Sequence, residues 1–287
     1  MAALRMAAGR RKRWLKTGAK ALVVLAALYG MLRWFEYSQV YHPTRELEAS
    51  PAGLGMAFEE ARFQAGDGVA LHGWFFPAGS DSPRRALTLL VCHGNGGNIS
   101  HRLGLCAALR KTGAGVFIFD YRGYGQSGGQ PSEEGTYRDA QAACAWLRQK
   151  GFAAQHIIAF GESLGGAVAT ELAVREATGG LVLESTFTSV PDLGAELFPW
   201  LPVRWLSTIK YDTRRKLPRV RVPVLVMHSR GDGLIPFRHA TENFAAAHEP
   251  KAFGELQGDH NDPVYDEPAF AGALEPFLHR IEARPTP

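Results

Sequence analysis

A serine hydroxyl becomes a nucleophile when a neighbouring base takes its proton and a third group orients that base. Ser163 has the surroundings for the first role. It sits in Gly161-Glu162-Ser163-Leu164-Gly165, with Gly166 behind it. Residues 156–160, His-Ile-Ile-Ala-Phe, read as a buried strand, and 167–177 read as a helix of small and apolar residues. A serine on a sharp strand-to-helix turn is held in strained backbone geometry with its hydroxyl exposed. Small residues two positions to either side let that turn close. The bare pattern arises by chance in many chains. The strand before it and the helix after it separate it from an ordinary glycine-rich turn.

The other two roles are sought in loops that follow strands. Met227-His228-Ser229-Arg230-Gly231-Asp232 runs off a strand and places Asp232 at a strand end, 69 residues after the serine. His260, in Gly258-Asp259-His260-Asn261-Asp262, follows 28 residues later, after one more strand. We therefore read Ser163 as nucleophile, His260 as base and Asp232 as the orienting acid, in the chain order this elbow motif uses. Asp120, also at a strand end, is the rival acid. His228, inside a strand run, is the rival base and reads as a core or strand-end residue. His42, His72, His101, His156, His239, His248 and His279 have no such context and read as surface or structural. The tetrahedral oxyanion needs backbone N–H donors. These are expected from Leu164, next to the nucleophile, and from Asn95 in His93-Gly94-Asn95-Gly96-Gly97-Asn98. That loop lacks the Gly-Lys-Ser/Thr of a phosphate-binding loop, and no metal or cofactor motif is evident, so the chemistry reads as cofactor-free.

Positioning these groups takes an α/β fold. Residues 56–65 and 69–77 read as an antiparallel hairpin across Ala65-Gly66-Asp67-Gly68. Strands at 86–92, 116–120, 156–160, 181–184 and 223–228 then alternate with helices at 100–111, 133–150 and 167–177. A helix at 237–248, an edge strand at 251–256 and a last helix at 266–281 follow. Apolar strand runs alternating with helices imply a mostly parallel central sheet with helices on both faces and reactive groups at the carboxyl ends of the strands. The 185–221 connection, with Phe198-Pro199-Trp200-Leu201-Pro202 and Trp205-Leu206, is too apolar for a bare loop and reads as a short helical cap. Two readings of it stand: aromatics packed inward with solvated charges, or a role in admitting apolar or anionic substrates.

These motifs together resemble the α/β-hydrolase superfamily. They are His93 to Asn98, Asp120-Tyr121-Arg122-Gly123-Tyr124-Gly125-Gln126-Ser127-Gly128, the Ser163 elbow, Glu184-Ser185-Thr186-Phe187-Thr188-Ser189 and His260-Asn261-Asp262. More narrowly, with Tyr41-His42-Pro43, they resemble its membrane-anchored serine hydrolases with a short cap, over roughly residues 37–282. The resemblance implies hydrolysis of acyl esters or thioesters, often of lipids. Asp259 departs from the pattern, since a small residue often precedes the family histidine; a second charge there would compete for His260 or perturb its pKa. The 120–129 loop reads as structural, with Arg122 or Tyr124 near the site as the minority reading. A peptidase or acyltransferase on the same triad, and a non-catalytic membrane-anchored binding protein, are the alternatives.

Composition fits one elaborated domain: 287 residues, 46% apolar and 21% charged. Residues 1–20 carry seven basic residues and no acid, so a net charge of +4 leaves −3 for the remainder, which argues against a nucleic-acid partner. No obligate protein partner is evident. Cys92, Cys106 and Cys144 have no metal-type spacing and read as buried small residues. Residues 21–32 are all apolar or Gly, a run of 12, short for the roughly 20 residues of a span. Lys20 and Arg33 can snorkel, Trp14, Trp34, Phe35 and Tyr37 are placed like interfacial belts, and between Ala26 and Glu48 no Ala, Gly or Ser pair has the small-x-small cleavage spacing. Residues 1–36 are therefore read as an uncleaved signal anchor, ahead of a cleaved signal and a peripheral amphipathic helix. The charge asymmetry predicts a single-pass protein with a cytoplasmic N-terminus and the domain at 37–287 on the non-cytoplasmic side.

Overall fold

The computed structural model describes residues 2–262, 265 and 268–284, with side chains from residue 14 onward. Two compact units are present, Met1–Tyr41 and His42–Pro287. The first is a single helix, α1 (Ala2–Val40), whose stretch Trp14–Val40 is long and apolar enough to cross a membrane. It continues past residue 36, where the sequence reading ended the segment.

The second unit opens with a two-residue strand, β1 (His42–Pro43), then β2 (Glu59–Gln64), β3 (Ala70–Phe76), β4 (Thr88–Cys92) and a short β5 (Gly96–Gly97). Helix α2 (Leu103–Arg110), β6 (Gly115–Phe119), α3 (Glu133–Gln149), β7 (Ile157–Glu162), α4 (Leu164–Arg175) and β8 (Gly180–Glu184) follow. The cap segment holds α5 (Val190–Leu197), α6 (Val203–Leu206) and α7 (Thr213–Lys216). The chain then adds β9 (Val224–Ser229), α8 (Arg238–Ala246), β10 (Lys251–Leu256) and α9 (Pro268–Glu282). The expected start of the last helix, residue 266, lies outside the described residues.

Eight strands form one sheet in the order β10-β9-β8-β7-β4-β6-β3-β2. β2 and β3 are the expected hairpin, closed by Gly68 N–H donating to Ala65 O at 2.8 Å, and β3 pairs antiparallel with β6; every other pair in this sheet is parallel. β4, β6, β8 and β9 are buried along their whole length, as strands covered on both faces must be. On one face Leu89, Ile118, Phe160, Val182 and Met227 pack with residues of α2 and α9. On the other, Phe117 stacks on Trp146 of α3 at 4.5 Å between ring centroids. Cys92, Cys106 and Cys144 are buried free thiols, and burial pushes each thiol pKa up.

From β4 the chain moves out to β6 and then returns past β4 to β7. Strand order therefore reverses at β4, and the loops after β4 and β7 diverge to leave a crevice at the carboxyl ends. Ligands bind at such a switch point in open α/β sheets.

Candidate active site

Ser163 follows the last residue of β7 and caps α4 with φ 53° and ψ −117°, a positive φ that is costly for a side chain with a Cβ. The turn is tight enough to require glycine twice. A Cβ on Gly165 would overlap the Cys92 carbonyl, and one on Gly161 would overlap the Gly165 backbone. The strained serine is held from both sides: its N–H donates to Glu184 O at 2.9 Å and its carbonyl accepts from Thr186 Oγ1 at 2.6 Å.

Three residues read separately from the sequence meet here. His260 Nε2 lies 3.1 Å from Ser163 Oγ, and His260 Nδ1 lies 2.7 Å from Asp232 Oδ2. With the Nδ1 proton donated to Asp232, Nε2 is left as an acceptor facing the hydroxyl. Burial works against ionised Asp232. The His260 hydrogen bond and the Ile235 N–H, 2.7 Å from Oδ1, outweigh it and hold the carboxyl below its ordinary pKa. Burial also pushes His260 down, but the Asp232 hydrogen bond and charge lift its pKa above the usual imidazole value. Each of the three stands at the carboxyl end of a strand, following β7, β9 and β10.

The rivals are engaged elsewhere. Asp120 is fully buried, and its Oδ1 accepts from Ile99 N–H at 3.0 Å, fixing the turn after the glycine-rich loop. His228 is fully buried, with Nε2 2.8 Å from Ile235 O and 3.4 Å from Asp232 Oδ2, so it braces the acid from behind. Asp259 does not compete for the His260 ring. Its Oδ1 accepts from Gly233 N–H at 2.8 Å and His260 N–H at 2.7 Å, which ties the Asp232 loop to the His260 loop. The expected competition for the ring is corrected to a bridging role, but the two groups still interact: the Gly233 and His260 N–H bonds, and less strongly the His260 charge, hold the Asp259 carboxyl below its ordinary pKa.

Leu164 opens α4 directly after Ser163, where helix N–H groups point outward. Asn95 lines the same cleft as Ser163 and His260. Its carbonyl accepts from His42 N–H at 3.1 Å and from the Tyr124 hydroxyl at 2.8 Å. The sequence reading began the hydrolase strands at residue 56 and missed this contact. β1 pairs parallel with β5, and Asn98 Nδ2 reaches Thr44 Oγ1 at 2.9 Å and Glu46 O at 2.6 Å. The segment 42–46 is thus a strap across the glycine-rich loop. Arg122 proves structural, clasping Asp139 and Asp67 at 2.8 Å each. Tyr124 braces Asn95.

The cleft holds about 380 Å³. Among the described residues its lining includes His101, Arg102, Glu162 and Asn261, with Leu234 as the only apolar side chain. Arg102 Nε donates to Glu162 Oε2 at 2.9 Å, and this pairing keeps Glu162 ionised against burial. Its cross-strand neighbour Glu184 is buried, and burial together with the Glu162 charge pushes its pKa up to about 8. None of residues 185–221 is among the described residues that line this cleft. Among the described residues no three His, Cys, Asp or Glu side chains converge as a metal site.

A family model described as serine aminopeptidase, S33, matches residues 83–212. An uncharacterised protein of Mycobacterium tuberculosis is 39% identical over 244 residues, spanning 83% of this chain and 85% of its own length. The α/β hydrolase domain-containing protein WAV2 of Arabidopsis thaliana is 31% identical, spanning 78% of this chain and 79% of its own length. Among solved structures, the Pyrococcus furiosus esterase Pf2001 superposes with a TM-score of 0.68 at 20% identity, covering 84% of this chain and 97% of that one. With relatives of this identity along most of both chains, and with its parallel sheet and its serine elbow after β7, this chain belongs to the α/β-hydrolase superfamily.

Proposed function

We propose that this chain is a membrane-anchored serine hydrolase that cleaves acyl esters or thioesters through an acyl-enzyme. Ser163 Oγ attacks the acyl carbon while His260 Nε2 takes its proton, and Asp232 holds the imidazolium that forms. The tetrahedral oxyanion is received by the N–H groups of Leu164 and Asn95. His260 returns the proton to the departing alcohol or thiol, and a water activated by the same base releases the acid. The observation that carries this reading is the relay from Ser163 to His260 at 3.1 Å and on to Asp232 at 2.7 Å.

Leu234 as the one apolar lining side chain among the described residues favours a short or polar acyl group over a long alkyl chain. The aminopeptidase description of the matching family model favours amide substrates as a second reading. An aminopeptidase must pair the substrate's ammonium with a carboxylate. Among the described residues the carboxylate lining this cleft is Glu162, which already pairs with Arg102 at 2.9 Å and so supports the ester reading.

A fluorophosphonate probe should label the protein covalently, and Ser163→Ala should abolish the labelling. A panel of esters, thioesters and aminoacyl amides of graded chain length then assigns the leaving group and acyl size. Labelling that persists in Ser163→Ala would refute the nucleophile.

A further inference from the structure

One of the two readings of the cap turned its aromatics inward; Phe187 and Tyr211 do so, but Trp205 is 91% exposed, Trp200 73% and Leu197 46%, outside the described lining of the cleft. The segment is fastened on both sides of this stretch. Before it, His239 Nε2 of α8 lies 2.9 Å from Glu196 Oε1. After it, Lys216 Nζ reaches Glu171 Oε2 at 2.6 Å. The two indoles are therefore presented on a built support.

Charge separates the cap from the rest of the unit. Residues 185–221 carry seven basic side chains against three acidic, a net +4. With +7 in residues 1–20 and +4 for the whole chain, the remainder totals −7. The cap is thus cationic by sequence and bears two tryptophans on an acidic body, with Arg204 paired to Asp192 at 3.0 Å, Arg214 to Asp192 and Glu242, and Lys216 to Glu171. Indoles next to Arg or Lys suit the headgroup region of a bilayer, where the ring meets apolar chains and the cation meets lipid phosphate. A second copy docking through the same patch would oppose +4 with +4, which disfavours self-association there.

We propose that the exposed cap stretch carrying Leu197, Trp200, Arg204 and Trp205 seats in the headgroup region of a bilayer, with the two indoles as interfacial anchors. This rests on the membrane reading of α1 and goes beyond it, because it fixes a second contact from the hydrolase unit itself. The contact would hold the unit in one orientation at the lipid surface.

The test uses the full chain reconstituted in vesicles of phosphatidylcholine, with and without phosphatidylglycerol. Trp200→Cys, Trp205→Cys and, as a solvent-facing control, Ser80→Cys each carry a nitroxide; the three natural cysteines are buried and do not compete for label. The labels at 200 and 205 should show several-fold lower collision with a water-soluble nickel chelate than the label at 80. They should also collide more with oxygen and be most shielded in the anionic vesicles. Floating protein whose cap labels are as nickel-accessible as the control overturns the docking and leaves the anchor standing. Protein that does not float overturns both. Shielding accompanied by dipolar broadening between labels means a second copy covers the patch, and overturns the proposal.

Discussion

At the scale of single residues, the three proposed catalytic groups depend on each other, so their losses should not add. His260→Ala and Asp232→Asn are each expected to cut kcat by about four orders of magnitude, and the double variant little further. Asp120→Asn should instead weaken the grip on Ile99 N–H, lowering thermal stability while kcat measured well below the transition stays close to the parent. Loss of kcat in a folded Asp120→Asn equal to that of Asp232→Asn would reverse the assignment of the acid. The pH profile follows from the shifted groups. His260 must be neutral to take a proton, and Asp232 raises its pKa, so kcat/KM should climb with pH through an apparent pKa above the ordinary imidazole value of about 6.5. In Asp232→Asn the residual activity should reach its plateau at lower pH. Stability runs the other way for this group. The contribution of protonated His260 is complete below about 6.5 and fades as pH rises through its raised folded value. Ser163, Asp232 and His260 were legible in the sequence because each follows a strand, apolar before Ser163 and Asp232 and an edge strand before His260. Asp259 was not, since nothing in its neighbours tells which way a carboxylate turns. Glu184 was hidden for a related reason: its burial beside Glu162 arises only when β7 and β8 are set in register.

At the scale of elements, long apolar runs and glycine turns announced the sheet. β1 and β5, two residues each, carry no periodicity that a sequence can display. Their effect is nevertheless placed next to Asn95. Removing residues 1–36 should leave an active hydrolase unit, because the compact unit begins at His42. Removing 1–48 deletes the strap, with His42 N–H to Asn95 O, Thr44 N–H to Gly97 O and the Asn98 bonds to Thr44 and Glu46. At about 1 kcal/mol for each of these bonds, the longer truncation should be destabilised by several kcal/mol. Its kcat on a soluble ester should fall more than its KM rises, because the loop is expected to act on the oxyanion of the transition state. Melting curves and steady-state kinetics on the two truncations check this. Equal kcat in both would remove the strap from the picture. The cap was legible only as an element. The sequence left open whether its aromatics pack inward or serve substrate entry; Trp200 and Trp205 face solvent, because direction depends on how α5 and α7 are fastened to the body.

At the scale of the whole molecule, the expectation concerns the membrane. The apolar run of 12 residues is too short alone, but the stretch of α1 long and apolar enough to cross a membrane covers Trp14–Val40, 27 residues. At 1.5 Å per residue this is about 40 Å, against about 30 Å of hydrocarbon. Its termini can therefore sit among headgroups, where Lys16, Lys20 and the indoles of Trp14 and Trp34 belong. Arg33 enters that zone paired with Glu36 at 2.6 Å, which lowers the cost of placing either charge near lipid. Seven basic residues before the run favour retention of the N-terminus in the cytoplasm and transfer of the hydrolase unit across. Protease added to intact spheroplasts should therefore digest the hydrolase unit and spare an N-terminal tag; a unit protected until lysis would reverse the topology. Because so short a run leaves little margin, Leu25→Lys should be enough to release the protein. A lysine at mid-helix costs about 2.5–3.5 kcal/mol on insertion, comparable to several leucines of the run. Fractionation of that variant distinguishes the readings of the segment. Release into the soluble fraction at full length supports a spanning anchor, whereas undiminished membrane association would mean that α1 lies along the surface or that other contacts hold the chain.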